Sequence, residues 1–156
     1  MKAEVVCNTG PLIALSLLSC QDILSNLYRA VIPQAVCDEW RKGADLRPRN
    51  LPRGYERVAN PHFDPALLLQ LDRGEASVIQ TALNRGIGTV LMDERKGRKI
   101  ARRIYGLQTL GTAGLLVEAK RAGLIGNLAP LFEALEKQSY WIAKPIVEWA
   151  LQMAGE

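Results

Sequence analysis

The sequence predicts an α/β protein with three layers, in which a central, mostly parallel sheet lies between helices. Short runs of β-branched residues, such as Val5–Cys7, alternate with longer segments of helical periodicity. Strands separated by helices favour crossover connections and therefore parallel pairing. The chain has 156 residues, of which 48% are hydrophobic and 23% charged, as is typical of one globular domain with a sizeable core.

The first third of the chain begins this alternation. Strands are predicted at Val5–Cys7 and in "RAVIP", Arg29–Pro33. Helices are predicted at about Pro11–Ser19 and Gln21–Tyr28, and a third opens at Pro33 and carries "QAVCDEW". The stretch from Arg41 to Pro65 is rich in proline and arginine, which indicates an extended arm with a short strand at Tyr55–Ala59.

The rest of the chain continues the pattern with clear helix boundaries. Asp64 and Pro65 are suited to the N-cap and first position of a helix, and a break at Asp72–Gly74 precedes the helix "EASVIQTALNRG", which Gly86 ends. Two further strands, "GTVLMD" and "LQTLG", flank a helix from Glu94 to Tyr105. The remaining helices are "TAGLLVEAKRAG" and two near Leu128–Lys137 and Pro145–Ala154, so we expect a single domain over residues 1–156 with a helical C-terminal segment from about residue 127.

Composition excludes several classes of protein. Three cysteines without a CxxC pair, together with a single histidine, argue against a disulfide framework and a zinc site. No stretch approaches the roughly 18 apolar residues of a membrane span, so we expect a cytoplasmic protein that does not contact membranes. The net charge of +4 favours polyanionic partners.

Polar oxygens follow two of the predicted strands. Asn8 follows the first strand, and Asp93, with Glu94 beside it, follows "TVLM". Because the carboxyl ends of parallel strands meet at one edge of a sheet, Asn8 and Asp93 should lie close together, and Glu39 and Glu75 could reach that edge from helices. Oxygen ligands suit Mg²⁺ or Mn²⁺, which support phosphodiester hydrolysis.

Each of these acids also has a purely structural explanation. Glu75 and Glu94 lie in the first turns of predicted helices, where the helix dipole favours acids whatever the function. Glu39 could be an exposed helix residue. A nucleotide-binding α/β enzyme is a third class, but "NTGPLI" after the first strand lacks the glycine-rich phosphate loop that such a protein needs.

The helix that begins beside Asp93 is strongly basic. Its Ile100 and Ile104 are four residues apart and are expected to form a buried stripe. The cations on the other faces could hold phosphates or could simply be a solvated surface. The arginine-rich loop from Arg41 to Arg57, which includes Arg47 and Arg49, could extend the basic track. The six cations of the helix are Arg95, Lys96, Arg98, Lys99, Arg102 and Arg103.

Two further features of the sequence bear on nucleic-acid recognition. Tyr55 and the tryptophans are too scattered along the chain to predict base stacking. The segment "LGTAGLL", Leu110–Leu116, either offers a phosphate or water site with Thr112 as a donor, or is a capped helix that packs closely through Gly114.

Five blocks of the sequence, in order, resemble those of PIN-domain proteins, and most closely their VapC-like branch. The resemblance covers about Val5 to Leu131, and "LDRGE" followed by an apolar helix and "LMDER" is its most distinctive pair. The blocks are "VVCNTGPLIAL", "VIPQAVCDEW", "LDRGEASVIQTAL", "VLMDERKGRKIA" and "LQTLGTAGLLVEAKRAGLI".

The resemblance implies a set of site residues. The four acids of the family map onto Asn8, Glu39, Glu75 and Asp93, with Glu94 as an auxiliary ligand, and Thr9 matches the small hydroxyl residue after the first acid. Asn8 departs from the usual Asp, and since an amide oxygen carries no charge, weaker metal affinity should follow.

The resemblance also implies an activity and partners. It indicates an α/β/α endoribonuclease that uses Mg²⁺ or Mn²⁺ to cut single-stranded or structured RNA, and many such proteins are toxins silenced by an antitoxin protein. The alternative is a nucleic-acid-binding or regulatory protein that kept this fold with a weakened metal site. Apolar stripes in the last two helices could cover the core, form a homodimer face or bind an antitoxin.

Overall fold

The computed structural model describes residues 1–43, 51 and 53–156 and contains a central sheet of five strands that all run parallel. Helices flank this sheet in a three-layer α/β/α arrangement, as the sequence predicted. In spatial order the strands are β3 (Tyr55–Val58), β2 (Tyr28–Pro33), β1 (Ala3–Cys7), β4 (Thr89–Leu91) and β5 (Gln108–Leu110).

The described residues form nine helices, each close to a helix that the periodicity predicted. They are α1 (Thr9–Leu17), α2 (Asp22–Leu27), α3 (Gln34–Arg41), α4 (Pro65–Gln70), α5 (Arg73–Arg85), α6 (Arg95–Arg103), α7 (Thr112–Arg121), α8 (Ala129–Lys137) and α9 (Lys144–Met153).

The order of the strands reverses beside β1. The chain runs outwards from β1 to β2 and β3, then returns to place β4 on the other side of β1. Cys7 is paired with Leu91, and the backbone N–H of Asn8 donates to the carbonyl of Leu91 at 2.9 Å. The two strands therefore end side by side at the point where α/β sheets commonly bind ligands.

The β-branched runs form the centre of the core. Val5, Val6 and Cys7 are completely buried, as are Val31 and Ile32 in the neighbouring strand. Helix α5 packs against β1, β2 and β4. Its buried side chains, which the helical periodicity predicts to face inward, cover this part of the sheet.

Local capping signals account for the helix boundaries. Asp64 accepts a hydrogen bond from the backbone N–H of Ala66 at 2.9 Å, and Gly86 ends α5 with a φ of 66°. The predicted break at Asp72–Gly74 is shorter than expected, because Asp72 itself caps α5 by accepting from the N–H of Glu75 at 2.8 Å. Tyr28, placed in a helix by the sequence prediction, instead begins β2.

The proline-rich arm supplies an edge strand. Tyr55–Val58 pairs in parallel with Ala30–Pro33, close to the strand predicted there. The predictions for Arg47 and Arg49 lie outside the described residues. In the part of the chain that is described, no helix has the length and apolar character needed to cross a membrane.

Candidate metal and nucleic-acid site

Asn8 lies where β1 gives way to α1, at the carboxyl edge of the sheet. It is the N-cap residue of α1 and only 9% exposed. Its side-chain amide makes no hydrogen bond to any described residue. The amide oxygen is thus left without the local partner that an N-cap asparagine usually finds.

Glu39 reaches the same edge from α3. One carboxylate oxygen, Oε2, accepts a hydrogen bond from the hydroxyl of Thr9 at 2.6 Å. The other, Oε1, lies 2.1 Å from the position that a Cβ would take at Gly74. Only a glycine at position 74 therefore leaves space for the carboxylate, so α1, α3 and α5 together hold Glu39 in place.

Glu75 is the most buried of the candidate acids. Its side chain is 8% exposed, and its Oε2 atom is buried without a hydrogen-bond partner in the described structure. Burial raises the pKa of Glu75 to about 8, and the nearby charges of Asp72 and Glu94 contribute to the rise. The same Oε2 lies 2.7 Å from where a Cβ would stand at Gly97, so this glycine of α6 makes room for it.

Asp93 is held by three hydrogen bonds just beyond β4. The N–H of Thr112 donates to Oδ1 at 2.7 Å, and the hydroxyl of Thr112 donates to Oδ2 at 2.6 Å. The hydroxyl of Tyr140 donates to Oδ2 as well. Burial and the charge of Asp93 both raise the pKa of Tyr140, so its hydroxyl remains a donor.

Tyr140 is a site residue that the sequence analysis missed. It lies between α8 and α9, and its hydroxyl oxygen is 3.1 Å from the position of a Cβ at Gly10. The C-terminal segment thus reaches the start of α1 as well as Asp93. No local pattern marks this tyrosine, since its partners are separated from it by 47 residues or more of chain.

Three of the predicted acids, Glu39, Glu75 and Glu94, are linked through intermediary residues or through charge. Glu39 contacts Thr9, next to Asn8, and also the glycine that precedes Glu75. The charge of Glu94, which is the exposed N-cap residue of α6, acts on Glu75. Among the described residues, however, no three acidic, histidine or cysteine side chains form a group that could hold a metal ion.

The chemistry of the donors nevertheless fits a hard divalent cation. Asn8, Glu39, Glu75 and Asp93 would all bind a metal through oxygen, and the unpaired Oε2 of Glu75 needs either a proton or a cation. Mg²⁺ is usually bound through one or two carboxylates, with waters and substrate phosphates completing its coordination. A cage of three acids is not required before the substrate arrives.

The basic helix, α6, is partly as predicted. Its Gly97, Ile100 and Ala101 are buried, but Ile104 is 58% exposed, so the prediction that it belongs to the buried stripe was wrong. Ile104 is the C-cap residue, where the helix ends and its face no longer follows the periodicity. Within the described residues, the six cations of α6 form no ion pair with a carboxylate within 4.0 Å.

Thr112 uses its donors within the protein. Both its N–H and its hydroxyl bind Asp93, so at the N-terminus of α7 it holds a carboxylate in place and does not offer those donors to a phosphate. Of the two alternatives for Leu110–Leu116, these hydrogen bonds favour a capped helix over a phosphate site.

A family model described as a PIN domain matches residues 4–156. The chain therefore belongs to the PIN-domain family, as its sequence blocks predicted. This is a family of nucleic-acid-binding nucleases that generally depend on divalent metal ions. No curated protein sequence is significantly similar to the chain.

Proposed function

We propose that the protein is a ribonuclease that uses Mg²⁺ or Mn²⁺ to hydrolyse phosphodiester bonds in RNA. The observation that carries the proposal is the unpaired, buried Oε2 of Glu75 beside the switch point of the sheet. An oxygen in that position is costly unless a proton or cation neutralises it. A catalytic metal site explains why the fold tolerates this cost.

In this proposal the metal ligands are Glu39, Glu75 and Asp93, with Asn8 as a neutral ligand or as the acceptor that orients a bound water. Glu94 is an auxiliary ligand. These residues would hold the divalent cation, which would supply polarisation of the scissile phosphate and a lower pKa for the attacking water.

Two threonines orient the carboxylates for this task. The hydroxyl of Thr9 fixes one oxygen of Glu39, and Thr112 holds both oxygens of Asp93. Hydrogen bonds from such neighbours set the direction of a ligand before the metal binds.

The basic face of α6 would hold the RNA backbone. The helix begins within two residues of Asp93, and in the described part of the protein its cations form no ion pair within 4.0 Å. Cations next to an acidic site can bind the phosphates on either side of the scissile bond. The residues that we assign to this role are Arg95, Lys96, Arg98, Lys99 and Arg102.

We further propose, from the resemblance to the VapC-like branch, that the protein is the toxin of a toxin–antitoxin pair. The antitoxin would be a protein partner, and a homodimer is the other assembly proposed. A small neighbouring reading frame whose product co-purifies with this chain would support the toxin role.

Incubation of the purified protein with labelled RNA and Mn²⁺ tests the activity. Cleavage should require the metal and should be lost in the Glu75→Gln, Asp93→Asn double variant. Cleavage that survives in that double variant would show that other residues carry the reaction.

One alternative has its own support. Asn8 removes a charge from the usual set of acids, and no described group of three acids forms a metal cage. These features favour a nucleic-acid-binding protein that no longer cuts. It would bind RNA in a salt-sensitive manner and leave it intact at every Mn²⁺ concentration.

A further inference from the structure

A cavity of about 570 Å³ opens next to Asp93, between α6, β5, α7 and α9. Its polar side is formed by three arginines of α6, and its apolar side by two tryptophans of the C-terminal segment. These five residues are Arg95, Arg98, Arg102, Trp141 and Trp149.

The two indoles are unusually accessible. Trp141 is 72% exposed and Trp149 is 47% exposed. The tryptophans are scattered along the chain, but Trp141, in the segment before α9, and Trp149, within α9, line one cavity. Large exposed aromatic surface on a soluble protein commonly marks a binding site.

Two glycines leave room for the side chains that line the cavity. A Cβ at Gly111 would lie 2.9 Å from Nη1 of Arg98, so the glycine allows the guanidinium to lie over the junction of β5 and α7. The indole of Trp149 comes within 4.0 Å of the Cβ position at Gly114. The glycines singled out in "LGTAGLL" thus shape this cavity.

Although the carboxylate of Asp93 lines the same cavity, the arginines of the cavity form no ion pair within 4.0 Å in the described structure. The ion pairs found there use Arg29, Arg85 and Lys120. Three guanidinium groups and one carboxylate give the cavity an excess of positive charge, which favours an anionic ligand, and the planar guanidinium groups suit phosphate oxygens.

We propose that this cavity binds a nucleotide of single-stranded RNA next to the scissile phosphate, with its base stacked on Trp141 or Trp149 and its phosphate on the arginines. This inference rests on the proposed function and adds to it a subsite that stacks one base beside the metal site. Stacking on an aromatic side chain requires an unpaired base, so single strands should bind better than duplexes.

A purely apolar partner would not need three unpaired cations, and a simple polyanion would not need two exposed indoles. The combination of both in one cavity is the arrangement that single-stranded nucleic acids require. A protein partner or a second copy of the chain could instead occupy the cavity. The binding experiment below distinguishes these occupants from RNA.

The test measures binding in EDTA, where no metal-dependent cutting can occur. The probes are a fluorescent oligouridylate, the same strand in a duplex, and inorganic polyphosphate, which has charge but no bases. The variants are Trp141→Ala and Trp149→Ala, each with its Trp→Phe counterpart, and Arg98→Ala with Arg103→Ala as the matched control. Arg103 carries the same charge on the same helix but does not line the cavity.

We expect at least one of the Trp→Ala variants to bind the single strand about five to a hundred times more weakly than wild type, the range for the loss of one base stack, and the Trp→Phe variants to retain most of the affinity. Polyphosphate binding should be unchanged in the tryptophan variants. Arg98→Ala should weaken the binding of both the single strand and polyphosphate. It should also lower the slope of log affinity against log salt concentration by about one. Arg103→Ala should change neither the affinities nor the slope.

Three outcomes would overturn the inference. They are unchanged single-strand affinity in both alanine variants, an equal loss of polyphosphate binding, or a wild-type dimer that Trp149→Ala dissociates while RNA binding persists. Because these measurements need no metal, they separate this inference from the proposed catalysis. Base-dependent binding with no cleavage in Mn²⁺ would contradict the proposed nuclease activity and would still support the proposed nucleotide-binding site.

Discussion

The hydroxyl of Tyr140 donates a hydrogen bond to the carboxylate of Asp93, across 47 residues of chain. This contact makes the C-terminal segment part of the candidate site. Asp93 already accepts two hydrogen bonds from Thr112, so three of its roughly four lone-pair positions are occupied. These hydrogen bonds leave Asp93 with one free acceptor position, on Oδ1, which is the position that we propose binds the metal ion.

Replacing Tyr140 with Phe removes this hydrogen bond and keeps the ring. Because hydrogen bonds to charged groups contribute about 1.5–3 kcal/mol, we expect the free energy of unfolding to fall by about that amount. Urea denaturation measures the change.

Tyr55→Phe is the matched control. The hydroxyl of Tyr55 donates to the neutral carbonyl of Gln21 at 3.0 Å, so its loss should cost only about 0.5–1.5 kcal/mol. Equal losses in the two variants would contradict a special role for the bond to Asp93.

Gly74→Ala should disable the site and spare the fold. The new Cβ would overlap Oε1 of Glu39, and because that atom ends a flexible side chain, the carboxylate should move and the helix should remain. We expect RNA cleavage in Mn²⁺ to fall by at least about tenfold, as a ligand shifted by about 1 Å can cost a hundredfold.

Gly88→Ala provides the control for this substitution. A Cβ at Gly88 meets nothing within 4 Å, and the residue lies before β4, at the opposite edge of the sheet. This variant should cleave RNA at the wild-type rate. Full activity in Gly74→Ala would show that the position of Glu39 is not needed.

The raised pKa of Glu75 predicts that stability without metal depends on pH. The folded protein holds a proton on Glu75 up to about pH 8, whereas the unfolded chain releases it near the ordinary value of 4.5. The contribution of Glu75 to the free energy of unfolding is therefore complete below pH 4.5 and is lost as the pH rises from 4.5 to about 8. Over this range the free energy of unfolding should fall by at most about 1.4 kcal/mol per pH unit.

Denaturation in EDTA at several pH values between 5 and 8 measures this loss. Glu75→Gln, which cannot release a proton, should lose much less stability over the same range. An identical pH dependence in wild type and variant would mean that Glu75 is not the group responsible.

Much of the fold is predictable because its signals are local. Runs such as Val5–Cys7 define strands, and the polar and glycine residues at helix ends, such as Asp64 and Gly86, act within a few residues of themselves. Small errors arose where local signals compete. The sequence predicts a break between helices at Asp72. Its side chain instead caps α5 by accepting a hydrogen bond from the N–H of Glu75, so α5 begins two residues earlier than predicted.

The site was predictable only in part, for a physical reason. The alternation of strands and helices placed Asn8 and Asp93 at one edge, since parallel strands share a direction. The partners of those residues depend on how distant segments pack. No spacing in the sequence links Tyr140 to Asp93, or Trp149 to Arg98, and the need for glycine at position 74 is apparent only once Glu39 lies against it.

Calorimetric titration with Mn²⁺ tests the central claim most directly, because it measures the metal site without requiring a substrate. We expect one ion per chain, bound weakly by wild type, more tightly by Asn8→Asp because the new carboxylate adds a charge, and not detectably by Glu75→Gln or Asp93→Asn. Equal Mn²⁺ affinity in wild type, Asn8→Asp and both neutralised variants would contradict the account.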